Sequence, residues 1–83
     1  MKLGKTQRLV LENVRDGRQP YHGHRTFAEY TRRETVAHEL AQRGWLKLLP
    51  FGHPSVRLRE GERFANPWRL TPLGKTVLLA GTP

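Results

Sequence analysis

The sequence predicts a small α+β domain in which three helices precede a two- or three-stranded antiparallel hairpin and one helix follows it. Three observations support this: apolar residues at helical spacing in 31–43, an extended pattern at 45–49, and a second helix-start signal at Thr71-Pro72. The chain of 83 residues is long enough for one small domain. Its sequence contains no repeat, low-complexity tract or Ser/Gly linker, so 1–83 is treated as a single domain.

The first predicted helix runs from about Lys5 to Arg15. Asp16-Gly17 follows it directly, and glycine suits a helix end because it adopts the left-handed conformation found there. The next stretch, 18–25, combines Pro, Gly and charge-capable side chains without apolar periodicity, so it is predicted to be a loop. The inner face of the first helix is predicted to consist of Leu3, Val10, Leu11 and Val14.

A capping pattern then marks a second helix. Thr26 and Glu29 stand three residues apart, the spacing at which a hydroxyl and a carboxylate satisfy the first free amides of a helix. This pattern predicts a short helix over Phe27 to Tyr30, either separate from the next helix or merged with it.

The third predicted helix runs from Arg32 to Arg43. Thr31 and Glu34 repeat the capping spacing at its start, and Gly44 can close it. The apolar side predicted to face inward consists of Val36, Ala37, Leu40 and Ala41. A step of about 100° per residue then turns outward Arg32, Thr35, His38, Glu39 and Gln42.

Two extended runs follow, at 45–49 and at Trp68–Leu70. In the insert between them, residues 56–59 alternate apolar with basic side chains, and Glu60-Gly61 suits a tight turn. These features predict a wing of about 45–71 whose insert is a hairpin or a long loop. The insert is predicted to expose Arg57, Arg59 and Arg63.

The last helix is predicted at about 72–80. Thr71 is a favourable cap, and Pro72 suits the first helical position, where its missing amide hydrogen costs nothing. Residues 81–83 are predicted to end the helix. Its buried face is predicted to consist of Leu73, Val77 and Ala80.

The charge of the chain indicates a polyanionic partner. The sequence has fifteen Lys and Arg, eleven of them Arg, and seven Asp and Glu, which gives a formal charge of +8. The alternative is a solvated basic surface, or an Arg-rich composition, with no partner behind it. The pattern of the helix at 32–43 favours a nucleic-acid partner over this alternative.

Several function classes are disfavoured. Without Cys there are no disulfides and no thiolate metal sites, and His22 and His24 lack further ligands nearby in sequence, so we expect no metal and no cofactor. Ser55 has no acid–base partner at a recognisable spacing, and phosphate-cradling loops are missing, so an enzyme is not expected. No apolar run is long enough for a signal peptide or a membrane span. We expect a cytoplasmic, nucleoid-associated protein without a membrane partner.

The predicted order of elements is that of winged helix-turn-helix domains, and the resemblance covers nearly the whole chain. Two segments resemble bacterial and archaeal regulators of the MarR and PadR type. Glu34–Leu46 is similar to their recognition helix and the strand after it, and Trp68–Lys75 to the passage from the second wing strand into the last helix. The extended helices through which those regulators dimerise have no counterpart in this sequence.

The resemblance implies a DNA-binding transcription regulator whose partner is double-stranded DNA. The helix from Arg32 would enter the major groove, where Arg can hold guanine and Gln can hold adenine, and the wing would contact the backbone or an adjacent minor groove. On the helix, the predicted DNA contacts are Arg32, Arg33, Thr35, His38, Glu39 and Gln42. In the wing they are Arg57, Arg59 and Arg63.

The sequence leaves a second class open. A protein-interaction module on the same fold, such as a phage or plasmid factor acting on RNA polymerase or another transcription protein, is supported by the apolar residues Phe51, Val56 and Phe64 of the insert. The aromatic residues could stack on unpaired bases, but their neighbours favour a place in the core for Trp45, Trp68, Phe27 and Tyr30. The target sequence, the direction of regulation, any effector and the oligomeric state stay open.

Overall fold

Two helices, a two-stranded antiparallel hairpin and a last helix make up the fold of residues 3–80, the part of the chain that the computed structural model describes. In chain order the elements are α1 (Lys5–Arg15), α2 (Phe27–Gln42), β1 (Leu46–Leu48), β2 (Trp68–Leu70) and α3 (Pro72–Ala80). The first helix and the strand at 68–70 have their predicted bounds. The prediction of three helices before the hairpin is wrong.

The two predicted helices at 27–30 and 32–43 form one continuous helix, α2, which confirms the alternative that they merge. Its N-cap is Thr26, whose hydroxyl accepts a hydrogen bond from the Glu29 amide at 3.1 Å. The hydroxyl of Thr31, predicted to cap a new helix, instead donates to the Phe27 carbonyl at 3.0 Å. Since neither Gly nor Pro occurs between residues 27 and 42, nothing in the sequence breaks the helix that Thr26 begins.

The segment between α1 and α2 consists of turns, which confirms the loop predicted at 18–25. The His22 amide donates to Gln19 and the His24 amide to Tyr21, each at 3.0 Å. The buried side chain of Asn13 in α1 fixes this loop, because its amide nitrogen donates to the carbonyls of Pro20 and His22 at 3.1 and 3.3 Å. Residues 16–26, which join α1 to α2, therefore contain no helix.

The core lies between the three helices and the hairpin. The predicted inner face of α1 is buried, as are Val36, Ala37 and Leu40 of α2. The two tryptophans, Trp45 and Trp68, are also buried, which confirms their predicted place in the core. The cluster is completed by Leu46 from β1 and Leu78 from α3.

The hairpin is short. Leu46 pairs with Leu70, Lys47 with Arg69 and Leu48 with Trp68. In the described chain, residues 49–67 contain no strand, so the three-stranded form of the predicted wing is wrong. The predicted turn at Glu60-Gly61 is confirmed, since the Glu62 amide donates to the Arg59 carbonyl at 3.1 Å and Gly61 has φ +84°.

The prediction of which side of α3 faces the core is wrong, because the helix is rotated by part of a turn from the predicted orientation. Leu73 is 52% exposed and Ala80 is exposed, whereas Gly74 and Leu78 are buried and Val77 is half-buried. Close packing of Gly74 against the Trp45 carbonyl sets this rotation. Residues 81–83, predicted to end the helix, lie outside the described residues. No helix of the described chain has the length and apolarity that a membrane span requires.

Candidate nucleic-acid interface

The outer face of α2 carries most of the helix residues predicted to contact DNA. Five of the six are exposed: Arg32, Thr35, His38, Glu39 and Gln42. Thr35 donates its hydroxyl to the Thr31 carbonyl at 3.0 Å, which leaves the oxygen free to accept. The His38 ring meets the edge of Trp68, with ring centroids 5.1 Å apart.

Arg33 differs from the other five residues. It is half-buried, and its guanidinium donates to the carbonyls of His22 and Tyr21 at 2.9 and 3.5 Å. These bonds tie the loop before α2 to the helix. Arg33 therefore serves the structure of the loop, and the outer face of α2 does not include it.

The helix α2 has no net positive charge with which to attract DNA. Its 16 residues carry two Arg and three Glu, a formal charge of −1. Burial is the main influence on the pKa of the Glu34 carboxyl and raises it, while the neighbouring His38 lowers it by less. The excess of positive charge that gives the chain its +8 must lie elsewhere.

Much of that excess surrounds a cleft of about 590 Å³ between the end of α1, the insert, β2 and α3. A second cleft of about 410 Å³ continues it, because the two share Gly17, Arg59 and Glu62. We call the two together the basic cleft. Its carboxylates are Asp16 and Glu62. Its seven cationic side chains are Arg15, Arg18, Arg57, Arg59, Arg63, Arg69 and Lys75.

The walls of the basic cleft are held together by side-chain bonds to backbone carbonyls. The amide nitrogen of Asn66 donates to Gly17 at 3.3 Å, and that of Gln19 donates to Ala65 at 3.2 Å. Gly17, with φ +79°, also lets the Arg59 guanidinium lie against the loop, 3.2 Å from where a Cβ would be. The loop after α1 and the insert are thus one connected wall.

Arg69 has a positioning role within this wall. It donates from Nη1 to the carbonyls of Asn66 and Trp68, both at 2.7 Å, and from Nη2 to the carbonyl of Ser55 at 2.5 Å. Its charge adds to the field of the cleft, while its hydrogens are used to hold the insert against β2.

The remaining cations differ in how far they are neutralised. Arg15 forms an ion pair with Asp16 at 3.0 Å, and this hydrogen bond lowers the pKa of the Asp16 carboxyl and raises that of Arg15. Arg59 and Glu62 are separated by 3.9 Å, a loose contact. Arg18 and Arg63 have no ion pair with any residue in 3–80. The cleft therefore has a clear excess of positive charge.

The structure assigns the predicted wing residues to this cleft and adds others. Arg57, Arg59 and Arg63 all line it. Sequence reasoning missed its other four cations, which come from three different parts of the chain: Arg15, Arg18, Arg69 and Lys75. One signal was available, namely that the charge excess lies outside α2.

The aromatic residues at the start of α2 form a separate group. The rings of Tyr21 and Tyr30 lie 4.6 Å apart, and Phe27 stacks on Tyr30 at 6.1 Å. Phe27 is 81% exposed, so its predicted place in the core is wrong, and Tyr30 is half-buried.

Within residues 3–80, no three His, Asp or Glu side chains are arranged to hold a metal ion. Comparisons with protein-family models, with curated proteins and with solved structures give no match to this chain. The resemblance to MarR- and PadR-type regulators stays a prediction.

Proposed function

We propose that the protein binds duplex DNA through the basic cleft and acts at the nucleoid as a small transcription regulator. One observation carries the proposal: seven cationic side chains and two carboxylates line one connected concave surface. Duplex DNA bears one negative charge per roughly 1.7 Å of its axis, so several of these cations would meet phosphates at once.

The cleft and the outer face of α2 have different tasks in this proposal. Arg57, Arg59 and Arg63 bind phosphates and give affinity without sequence preference. The exposed side chains of Thr35 and Gln42 are able to hydrogen-bond base edges. Because the loop of residues 16–26 separates α1 from α2, no short helix lies directly before α2, and in this proposal its approach to the groove differs from that of a helix-turn-helix motif.

The test compares two triple variants of equal charge. Arg57, Arg59 and Arg63 are changed to Ala in one, and three exposed cations outside the cleft, Lys5, Arg25 and Lys47, are changed to Ala in the other. Both variants have a formal charge of +5, since each loses three of the fifteen cations. Fluorescence anisotropy with a labelled duplex, at about 50 and 200 mM salt, gives the affinity and its salt dependence.

We expect the cleft variant to flatten the slope of log affinity against log salt by about 2.7, or about 0.9 for each phosphate that the protein no longer neutralises. The control variant should change the slope by less than one unit. Equal slopes in the two variants would mean that total charge, and not the cleft, drives binding. Absence of binding by the unmodified protein at about 50 mM salt would refute the DNA proposal itself.

A further inference from the structure

The insert also borders a second concave surface, which adjoins the basic cleft and is mostly apolar. A groove of about 670 Å³ lies between the end of β1 and the insert, and Leu48, Phe51, Val56, Leu58 and Phe64 line it. Phe51 is fully exposed, and Leu58 and Phe64 are 62% and 64% exposed. We call this surface the apolar groove. Large apolar side chains gathered around one exposed concavity mark an interaction site more often than a solvated surface.

The alternating sequence at 56–59 separates the two surfaces. Val56 and Leu58 line the apolar groove, while Arg57 and Arg59 line the basic cleft. Leu58, Arg63 and Phe64 lie at the boundary and line both surfaces. The groove lining is apolar except for Arg63, so the groove offers phosphates a single cation and DNA is a poor occupant for it.

The charges around the groove indicate which partner fits it. Arg63 is the charged residue in its lining. A second copy of this chain would bring a further formal charge of +8 to the groove, and this charge would repel Arg63. An acidic partner would instead gain from Arg63 while burying its own apolar side chains against Phe51 and Phe64.

We propose that the apolar groove binds a short segment of another protein in which apolar anchor residues are flanked by Asp and Glu. Phe51 and Phe64 are the anchors on this chain, and Arg63 pairs with an acidic residue of the segment. The proposal does not depend on DNA binding. With both activities, the protein would hold DNA in the basic cleft and the segment in the adjoining groove, with Arg63 between them.

The probe is a labelled synthetic peptide with Leu and Phe at helical i, i+3, i+4 and i+7 positions and Glu at the others. A second peptide has Lys in place of every Glu. Fluorescence anisotropy is measured for the unmodified protein and for Phe51→Ser, Phe64→Ser and Phe27→Ser. Phe27 is the matched control, because it is an exposed Phe outside the groove.

We expect the acidic peptide to bind and the Lys peptide to bind at least about tenfold more weakly. Phe51→Ser and Phe64→Ser should each weaken binding of the acidic peptide by about tenfold, the change expected for an interface anchor, while Phe27→Ser stays within about twofold. Arg63→Glu should weaken it, and Arg63→Lys should preserve most of it. The affinity of Phe51→Ser for duplex DNA should be unchanged, which separates this proposal from that of DNA binding.

Three outcomes would overturn the proposal. In the first, the two peptides bind alike, or Phe27→Ser weakens binding as much as Phe51→Ser. In the second, analytical ultracentrifugation finds a dimer that Phe51→Ser dissociates, so that a second copy occupies the groove. In the third, the protein binds phosphatidylglycerol vesicles through Phe51 but does not bind the acidic peptide, so that the occupant is a lipid surface.

Discussion

Replacing Gly74 by Ala tests the packing that sets the position of α3. A Cβ at this position would overlap the carbonyl oxygen of Trp45 and would lie 2.8 Å from Cδ1 of Leu70. Backbone must move to relieve the first contact, so the cost is expected at the upper end of the roughly 1–3 kcal/mol typical of overpacking. The greater helix propensity of Ala returns up to about 1 kcal/mol. The net decrease in the free energy of unfolding is therefore about 2 kcal/mol.

Thermal and urea unfolding, followed by far-UV circular dichroism, measure this decrease. For a domain of this size about 2 kcal/mol corresponds to a melting temperature lower by roughly 8–16 °C. The control is Leu79→Ala, since Leu79 is 78% exposed on the same helix and its replacement should change stability by less than about 0.5 kcal/mol. A Gly74→Ala variant as stable as the unmodified protein would refute the packing of α3 on Trp45.

Two further predictions concern α2. Thr26→Ala should lower the free energy of unfolding by about 1 kcal/mol, because Thr26 caps the helix. Thr31→Ala should lower it by less, because Thr31 lies inside the helix. If urea unfolding gave the reverse order, two separate helices would be the better description. Burial raises the pKa of Glu34 in the folded state above its unfolded value. As the pH rises through these two pKa values, the carboxyl ionises more readily in the unfolded chain, so Glu34 lowers the free energy of unfolding. Glu34→Gln should therefore be more stable than the unmodified protein at pH 7 and should have no advantage near pH 3; an equal difference at both pH values would contradict this.

Local patterns in the sequence predicted the elements well where one signal dominated. The apolar spacing of α1 and the Asp16-Gly17 stop gave its bounds, and Thr71-Pro72 gave the start of α3. The error in helix count arose where two capping patterns, at Thr26 and Thr31, competed. A capping pattern starts a helix only if the preceding residues are not already helical, and spacing alone does not determine which of two is used.

The candidate site was less predictable, because its cations come together only in the folded chain. Arg57 and Arg59 could be found from the alternation in the insert. Arg15 ends α1 and Lys75 lies in α3, and nothing in their local sequence relates them to the insert. Bonds between distant segments, such as that from Asn66 to the Gly17 carbonyl, create the cleft. The resemblance to a DNA-reading helix placed six of the predicted DNA contacts on α2, although α2 has no excess of positive charge.

Both proposed surfaces depend on the position of the insert, and Arg69 fixes that position. Its guanidinium joins Ser55 and Asn66 to β2 through three carbonyls, a geometry that the single ammonium of Lys cannot reproduce. Arg69→Lys keeps the formal charge, so a lower affinity in this variant cannot come from charge. We expect faster amide hydrogen exchange across the insert, with exchange in α1 unchanged, and weaker binding of both duplex DNA and the acidic peptide. A variant that loses DNA affinity alone, with exchange in the insert unaltered, would mean that Arg69 contacts phosphate directly and that the insert is held by other bonds.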